Sequence, residues 1–145
     1  MASCGSGLIK RTCGVCVKLS DVGEKYPELR GVLGNFAVGE LYPPQAEAIG
    51  KGALEHSFLL ASGTASGKTL VAQLAAARAV LEGGKVLYLA PLRSLAMEKR
   101  DEFRELPFKT AISIGDMDSQ DAWLGKFDVV IATYEKAESL LRHRP

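Results

Sequence analysis

An α/β fold with a parallel sheet covered on both faces is the architecture this sequence predicts. Three observations point to it. Short apolar runs, 57–62 (SFLLAS), 85–90 (KVLYLA), 110–114 and 128–133 (DVVIAT), lack the in/out alternation of a half-solvated strand. Helical patterns separate them, as in a chain that crosses over between parallel strands. Finally, the first run leads into a small-residue turn and then a helix, the order in which open α/β sheets build ligand sites.

The elements follow in order. Residues 27–36 and 44–54 each read as helical, with Pro43 and Pro44 suited to a first helical turn. The run 57–62 reads as a buried strand. After the turn, Leu70, Leu74, Ala77 and Leu81 recur at helical spacing, and Gly83 and Gly84 stop that helix. Residues 85–90 form the next strand, ended by Pro91. Leu92, Ala96, Phe103 and Leu106 mark one face of a further helix. Strands at 110–114 and 128–133 follow, and a last helix covers roughly 135–142.

The chain has 145 residues, 47% hydrophobic and 24% charged, which fits a single globular domain. A net charge of +1 provides no bulk attraction to nucleic acid, so any such binding must be local. No apolar run approaches the roughly 20 residues that span a bilayer, and the first residues lack the apolar core of a secretory signal, so a cytoplasmic location is expected. Cys4, Cys13 and Cys16 are the only cysteines. Their odd number argues against a disulfide framework. Cys13 and Cys16 have half the spacing of a zinc ribbon; no fourth ligand is evident, and a loose extension over residues 1–18 is the simpler reading.

The chemistry concentrates in SGTASGKTL, residues 62–70. A small-residue turn opening a helix leaves backbone N–H groups unpaired, and the helix dipole adds partial positive charge there. Anions suit that position. Gly67 lets main chain approach a phosphate oxygen, Lys68 reaches the β and γ phosphates, and the Thr69 hydroxyl is a ligand for the Mg²⁺ that accompanies ATP. The strict phosphate-loop pattern has glycine where this chain has Ser62; an incidental glycine-lysine-threonine turn is the bland alternative. Upstream, in LYPPQAEAI (41–49), the Gln45 carboxamide has the geometry to pair with the N6 and N7 edge of adenine and so to select ATP. Taken alone, a Pro-Pro-Gln start is also that of an ordinary capped surface helix.

These motifs together resemble the DEAD/DEAH-box helicases of superfamily two, in the Ski-like branch, and are most similar to the archaeal HELQ-like DNA helicases. The resemblance runs from about Leu19 to Pro145. ELYPPQAEA (40–48) resembles the Q motif, GTASGKT (63–69) motif I, and APLRSLAMEK (90–99) motif Ia; Ile114, Gly115 and Asp116, then 118–144, resemble the GD element and the segment carrying T-x-E-K. It implies a RecA-like P-loop NTPase fold over 19–145, with ATP and Mg²⁺ as cofactors. Gln45, Gly63, Thr64, Ala65, Ser66, Gly67, Lys68 and Thr69 would bind ATP, Lys68 and Thr69 also serving catalysis. Pro91, Leu92, Arg93, Ser94, Gly115, Asp116, Thr133 and Tyr134 would meet the nucleic acid, largely through main chain and with little sequence preference. Single-stranded or forked DNA is the implied partner, and RNA stays open because sibling helicases of this branch use it.

Asp101 and Glu102 imitate the start of a DExH box. Such a pair must emerge from an apolar strand, and these follow MEKR in a polar helical stretch, so they read as a solvated helix face. The strand that would carry the true acidic pair, and the second RecA-like domain, do not appear in these residues. The 145-residue chain is therefore expected to show no appreciable ATPase or unwinding activity alone, with only weak nucleotide binding surviving. Two other classes remain open: a non-hydrolysing nucleotide- or nucleic-acid-binding module, and a small P-loop kinase, which would carry glycine at 62 and an arginine-rich lid.

Overall fold

The computed structural model describes residues 17–63, 66–115 and 121–142, which fall into two compact units, residues 1–78 and 79–145. In the first unit a two-residue strand β1 (Val17–Lys18) pairs antiparallel with β2 (Glu40–Leu41). Between them run helix α1 (Leu19–Lys25) and two 3-10 turns, Pro27–Gly31 and Leu33–Asn35. The helix expected over 27–36 is thus a pair of tight turns. Pro27, Gly31 and Gly34 favour this, since proline ends the preceding helix and the glycines lower helix propensity. Helix α2 (Pro43–Gly50) starts on the two prolines and is shorter than expected, giving way to turns around Gly52, whose φ is +89°. The core of the unit is apolar and closed: Val22, Leu29, Ile49 and Leu74 are fully buried.

The run 57–62 is not a strand, which corrects the sequence reading. Apolar composition makes a strand only where a neighbour completes its hydrogen-bond ladder. Among the described residues no strand pairs along this segment, and its side chains are not packed: Leu59 is 91% exposed and Phe58 41%. The small-residue turn is therefore entered from irregular chain.

Helix α3 (Lys68–Leu81) leaves that turn. Its alanine-rich sequence has high helix propensity, and Leu70, Val71, Leu74 and Ala77 form its buried stripe. The stop is as expected. Gly83 takes φ +85°, and the Gly84 N–H donates to the Ala79 carbonyl at 2.8 Å.

The second unit holds a parallel sheet in the order β3-β5-β4, with β3 Val86–Ala90, β4 Thr110–Ser113 and β5 Val129–Thr133. The register aligns Ala90 with Thr133 and Ser113 with Ala132. Helix α4 (Arg93–Arg104) connects β3 to β4 and packs on one face; its fully buried Phe103 meets Tyr88 edge-on, ring centres 5.3 Å apart. Helix α5 (Tyr134–Arg142) follows β5 without a loop. Central β5 is the most buried strand, with Val129, Ile131 and Ala132 fully enclosed. The predicted α/β class and parallel sheet hold, and the chain has the character of a partial RecA-like domain. No helix among the described residues is long and apolar enough to cross a membrane.

Candidate functional site

The phosphate-loop candidates lie in the first unit. Gly67 adopts φ +71°, a conformation that costs side-chain-bearing residues about 1–2 kcal/mol, and its carbonyl accepts the Leu70 N–H at 3.1 Å to open α3. Lys68 folds back over the turn. Its ammonium donates to the carbonyls of Ser62 and Gly63 at 2.8 and 2.7 Å, and reaches the Ser66 hydroxyl at 3.4 Å. One cation is thus gathered by loop oxygens beside the positive end of α3, where an anionic ligand would compete with two carbonyls for it. Thr69 follows in the first helical turn, half-buried. Thr64 and Ala65 lie outside the described residues.

Ser62, the departure from the strict phosphate-loop pattern, has a structural role in the turn. Its hydroxyl pairs with that of Ser66 at 2.6 Å, bridging the two ends of the turn. Glycine there could not make this bond. The spacing of two serines four apart in a turn was the available signal.

Gln45 is brought to the same place. It is 3% exposed; its Oε1 accepts the Tyr42 N–H at 2.8 Å, and its Nε2 donates to the Gly67 carbonyl at 2.9 Å. The first bond is the reach-back of an N3 glutamine to the start of its own helix, which the Pro-Pro-Gln spacing encodes. The second joins residues 22 apart and could not be read from the sequence. One N–H and one acceptor lone pair of the carboxamide remain for a base.

An ionic network braces this unit. The buried Tyr26 donates its hydroxyl to Glu55 at 2.6 Å, Lys25 pairs with Glu55 at 3.1 Å, and Arg78 pairs with Glu28 at 2.8 Å while donating to the Leu54 carbonyl. Hydrogen bonds from Tyr26 and then Lys25 hold the Glu55 carboxyl below its ordinary range. Burial, then the bond to Glu55, pushes the Tyr26 phenol up. For Lys25, desolvation is outweighed by the bonds to Tyr26 and Glu55, and its ammonium is held on to higher pH.

The nucleic-acid candidates lie in the second unit, at the carboxyl edge of its sheet. Pro91 to Ser94 follow β3 and start α4, Gly115 follows β4, and Thr133 and Tyr134 pass from β5 into α5. Because Ala90 and Thr133 are in register on neighbouring strands, motif Ia and the Thr133 segment leave the sheet side by side. Pro91, Leu92, Arg93, Ser94 and Tyr134 are exposed, whereas Thr133 is 4% exposed, which leaves its main chain rather than its side chain for contact. The N-cap residue of α4, Leu92, makes no side-chain capping bond. Asp116 lies outside the described residues.

Asp101 and Glu102 sit on α4, paired with Arg100 at 2.8 Å and Lys99 at 2.7 Å; Asp101 is exposed, whereas Glu102 is half-buried beside a largely covered Lys99. Among the described residues no group of three or more His, Cys, Asp or Glu could hold a metal ion. Cys4, Cys13 and Cys16 lie outside them.

Comparison with known proteins bears on both sets of residues. A family model for the DEAD/DEAH box helicase matches residues 42–145, which include the Gln45 helix, the turn around Lys68 and the carboxyl edge of the sheet. The chain is 52% identical over 128 residues to the ATP-dependent DNA helicase Hel308 of Pyrococcus abyssi, a match covering 85% of this chain and 18% of that protein. To Hel308 of Pyrococcus horikoshii it is 52% identical over 120 residues, 79% of this chain and 17% of the relative. To that of Thermococcus kodakarensis it is 49% identical, again over 79% of this chain but 11% of the relative. The chain thus spans less than a fifth of the length of these relatives. With the family model matched over most of its length, on a parallel α/β sheet, the chain belongs to the DEAD/DEAH box helicase family.

Proposed function

We propose that this chain is the ATP-binding part of an ATP-dependent DNA helicase, with the turn at 62–69 taking the triphosphate and the carboxyl edge of the β3-β5-β4 sheet taking a DNA strand. One observation carries the reading: the Lys68 ammonium is held by loop carbonyls over a positive-φ glycine at the start of α3, with Gln45 bonded to that same glycine. The residues present fit a nucleotide. Lys68 supplies a charge to the β and γ phosphates, Ser66 and Gly67 supply small-residue main chain, and Thr69 supplies a hydroxyl toward Mg²⁺. Magnesium bound with ATP contributes charge neutralisation at the phosphates. Gln45 reads adenine with the donor and acceptor it has left. On the DNA side, main-chain groups after β3 and β5, with Arg93 charge, hold phosphates without reading bases. That the relatives carry the description of ATP-dependent DNA helicases favours DNA over RNA as the strand held.

Isothermal titration of the 145-residue chain with Mg-ATP and Mg-GTP tests this. Saturable heat with ATP, weaker heat with GTP, and loss of about thirtyfold in affinity in Lys68→Ala are expected, the last being about 2 kcal/mol for one charge-assisted contact. Equal binding by Lys68→Ala would overturn the assignment of the turn.

A further inference from the structure

Gln45 stands in the site for its capacity to reach adenine, yet most of what it does in this structure concerns main chain. The Gly67 carbonyl accepts two hydrogen bonds, from Gln45 Nε2 at 2.9 Å and from the Leu70 N–H at 3.1 Å, which uses both its lone pairs. Gly67 and Gln45 are also in direct contact. A Cβ built on Gly67 would overlap Gln45 Nε2 and lie 3.2 Å from Gln45 Cδ, so the carboxamide occupies the space a side chain would need.

The Gly67 carbonyl and the Lys68 N–H belong to one planar trans peptide unit, so fixing the oxygen fixes the direction of the N–H, which points the opposite way. Resting on the reading that this turn binds phosphate, we infer that Gln45 is a positioning residue for the phosphate-binding turn itself. Through the Gly67 carbonyl it aims the Lys68 main-chain donor away from α2, toward the ligand, whether or not a base is present. Its far end is anchored, since Oε1 is held by the Tyr42 N–H. Gln45 as a whole is 3% exposed, so little water competes for these bonds. Selecting adenine and aiming the turn are separable functions of one side chain, because a ligand with phosphates and no base engages only the second.

The test is binding of Mg²⁺ with inorganic tripolyphosphate, beside Mg-ATP, to the full 145-residue chain as wild type, Gln45→Ala and Gln45→Glu. Gln45→Glu keeps an acceptor for the Tyr42 N–H, so the start of α2 survives, but at neutral pH it faces the Gly67 carbonyl with a second acceptor. The expected result is a loss of about tenfold in tripolyphosphate affinity in both variants, with ATP affinity falling at least as far. Lowering the pH toward about 5 should bring Gln45→Glu back toward wild type measured at the same pH, because a protonated carboxyl can donate to the Gly67 carbonyl; Gln45→Ala should show no such recovery. General loosening of α2 would not produce that difference. Variants that bind tripolyphosphate like wild type while losing ATP would overturn the inference and leave Gln45 as a reader of the base. A wild type that binds Mg-ATP but no tripolyphosphate would overturn it too. Binding of neither ligand by folded wild type would instead sink the assignment of the turn to phosphate. If Gln45→Ala does not fold, Gln45→Glu decides alone.

Discussion

Gly67 shows most compactly how the turn is specified. Two separate costs oppose any side chain there: the backbone sits at φ +71°, and the space beyond Cα is filled by Gln45. Gly67→Ala should therefore destabilise the chain by about 2 kcal/mol or more, read as a lower urea midpoint, and should weaken Mg-ATP binding in the same samples. Unchanged stability would mean that Gln45 swings away at little cost. Of this residue the sequence declared only half. Glycine at the sixth position of a phosphate loop signals close approach by a ligand, whereas the approach of Gln45 depends on a helix 22 residues upstream and has no local signature. Lys68, by contrast, belongs to the turn itself, and its ammonium folds back onto carbonyls five and six residues upstream.

Among the elements, α3, α4, α5 and the three strands of the parallel sheet fall within a residue or two of their expected bounds, because periodicity over ten or more residues, or an apolar run closed by glycine or proline, reports local geometry directly. The segment at 57–62 fails that test because pairing is not local. Strand β3 illustrates the same point from the other side. Among the described residues it pairs only with β5, and on it Leu87 and Leu89 are 47% and 42% exposed. A free apolar edge of this kind templates association. Leu87→Lys with Leu89→Lys should lower light scattering of concentrated protein while changing the unfolding free energy by no more than about 1 kcal/mol. Scattering that persists would place the sticky surface elsewhere. Within the sheet, Phe103→Ala is the opposite case: loss of a fully buried ring against Tyr88 should cost about 3–5 kcal/mol in urea unfolding.

At the scale of the whole molecule, charge sets how stability depends on pH. Glu55 and Glu28 are both held below their ordinary carboxyl range, Glu55 by Tyr26 and Lys25, Glu28 by its own main chain and Arg78. A carboxylate depressed in the folded state binds fewer protons there than in the unfolded chain. Its stabilisation is thus complete above the unfolded value of about 4.5 and is lost as pH falls through the folded value. The urea midpoint should be flat near neutrality and decline below about pH 5, and Glu55→Gln should lower the plateau and flatten the decline. Tyr26 and Lys25, both raised, place a second loss at the alkaline end, above about pH 10. Mg-ATP at a hundredfold excess over its Kd should add about 2.7 kcal/mol to the folded state, visible as a raised thermal midpoint that Lys68→Ala lacks.

What the sequence determined by itself is the small-residue turn that opens α3, that helix and the parallel character of the sheet, since each is written in residues adjacent in the chain or on one face of one element. Tertiary structure alone decided that Gln45 bonds the Gly67 carbonyl, that Tyr26 gathers Lys25, Glu55 and Arg78, and that among the described residues no strand pairs with the apolar run at 57–62. Such bonds join side chains and carbonyls whose proximity arises only after the helices pack, so no period or spacing along the chain encodes them.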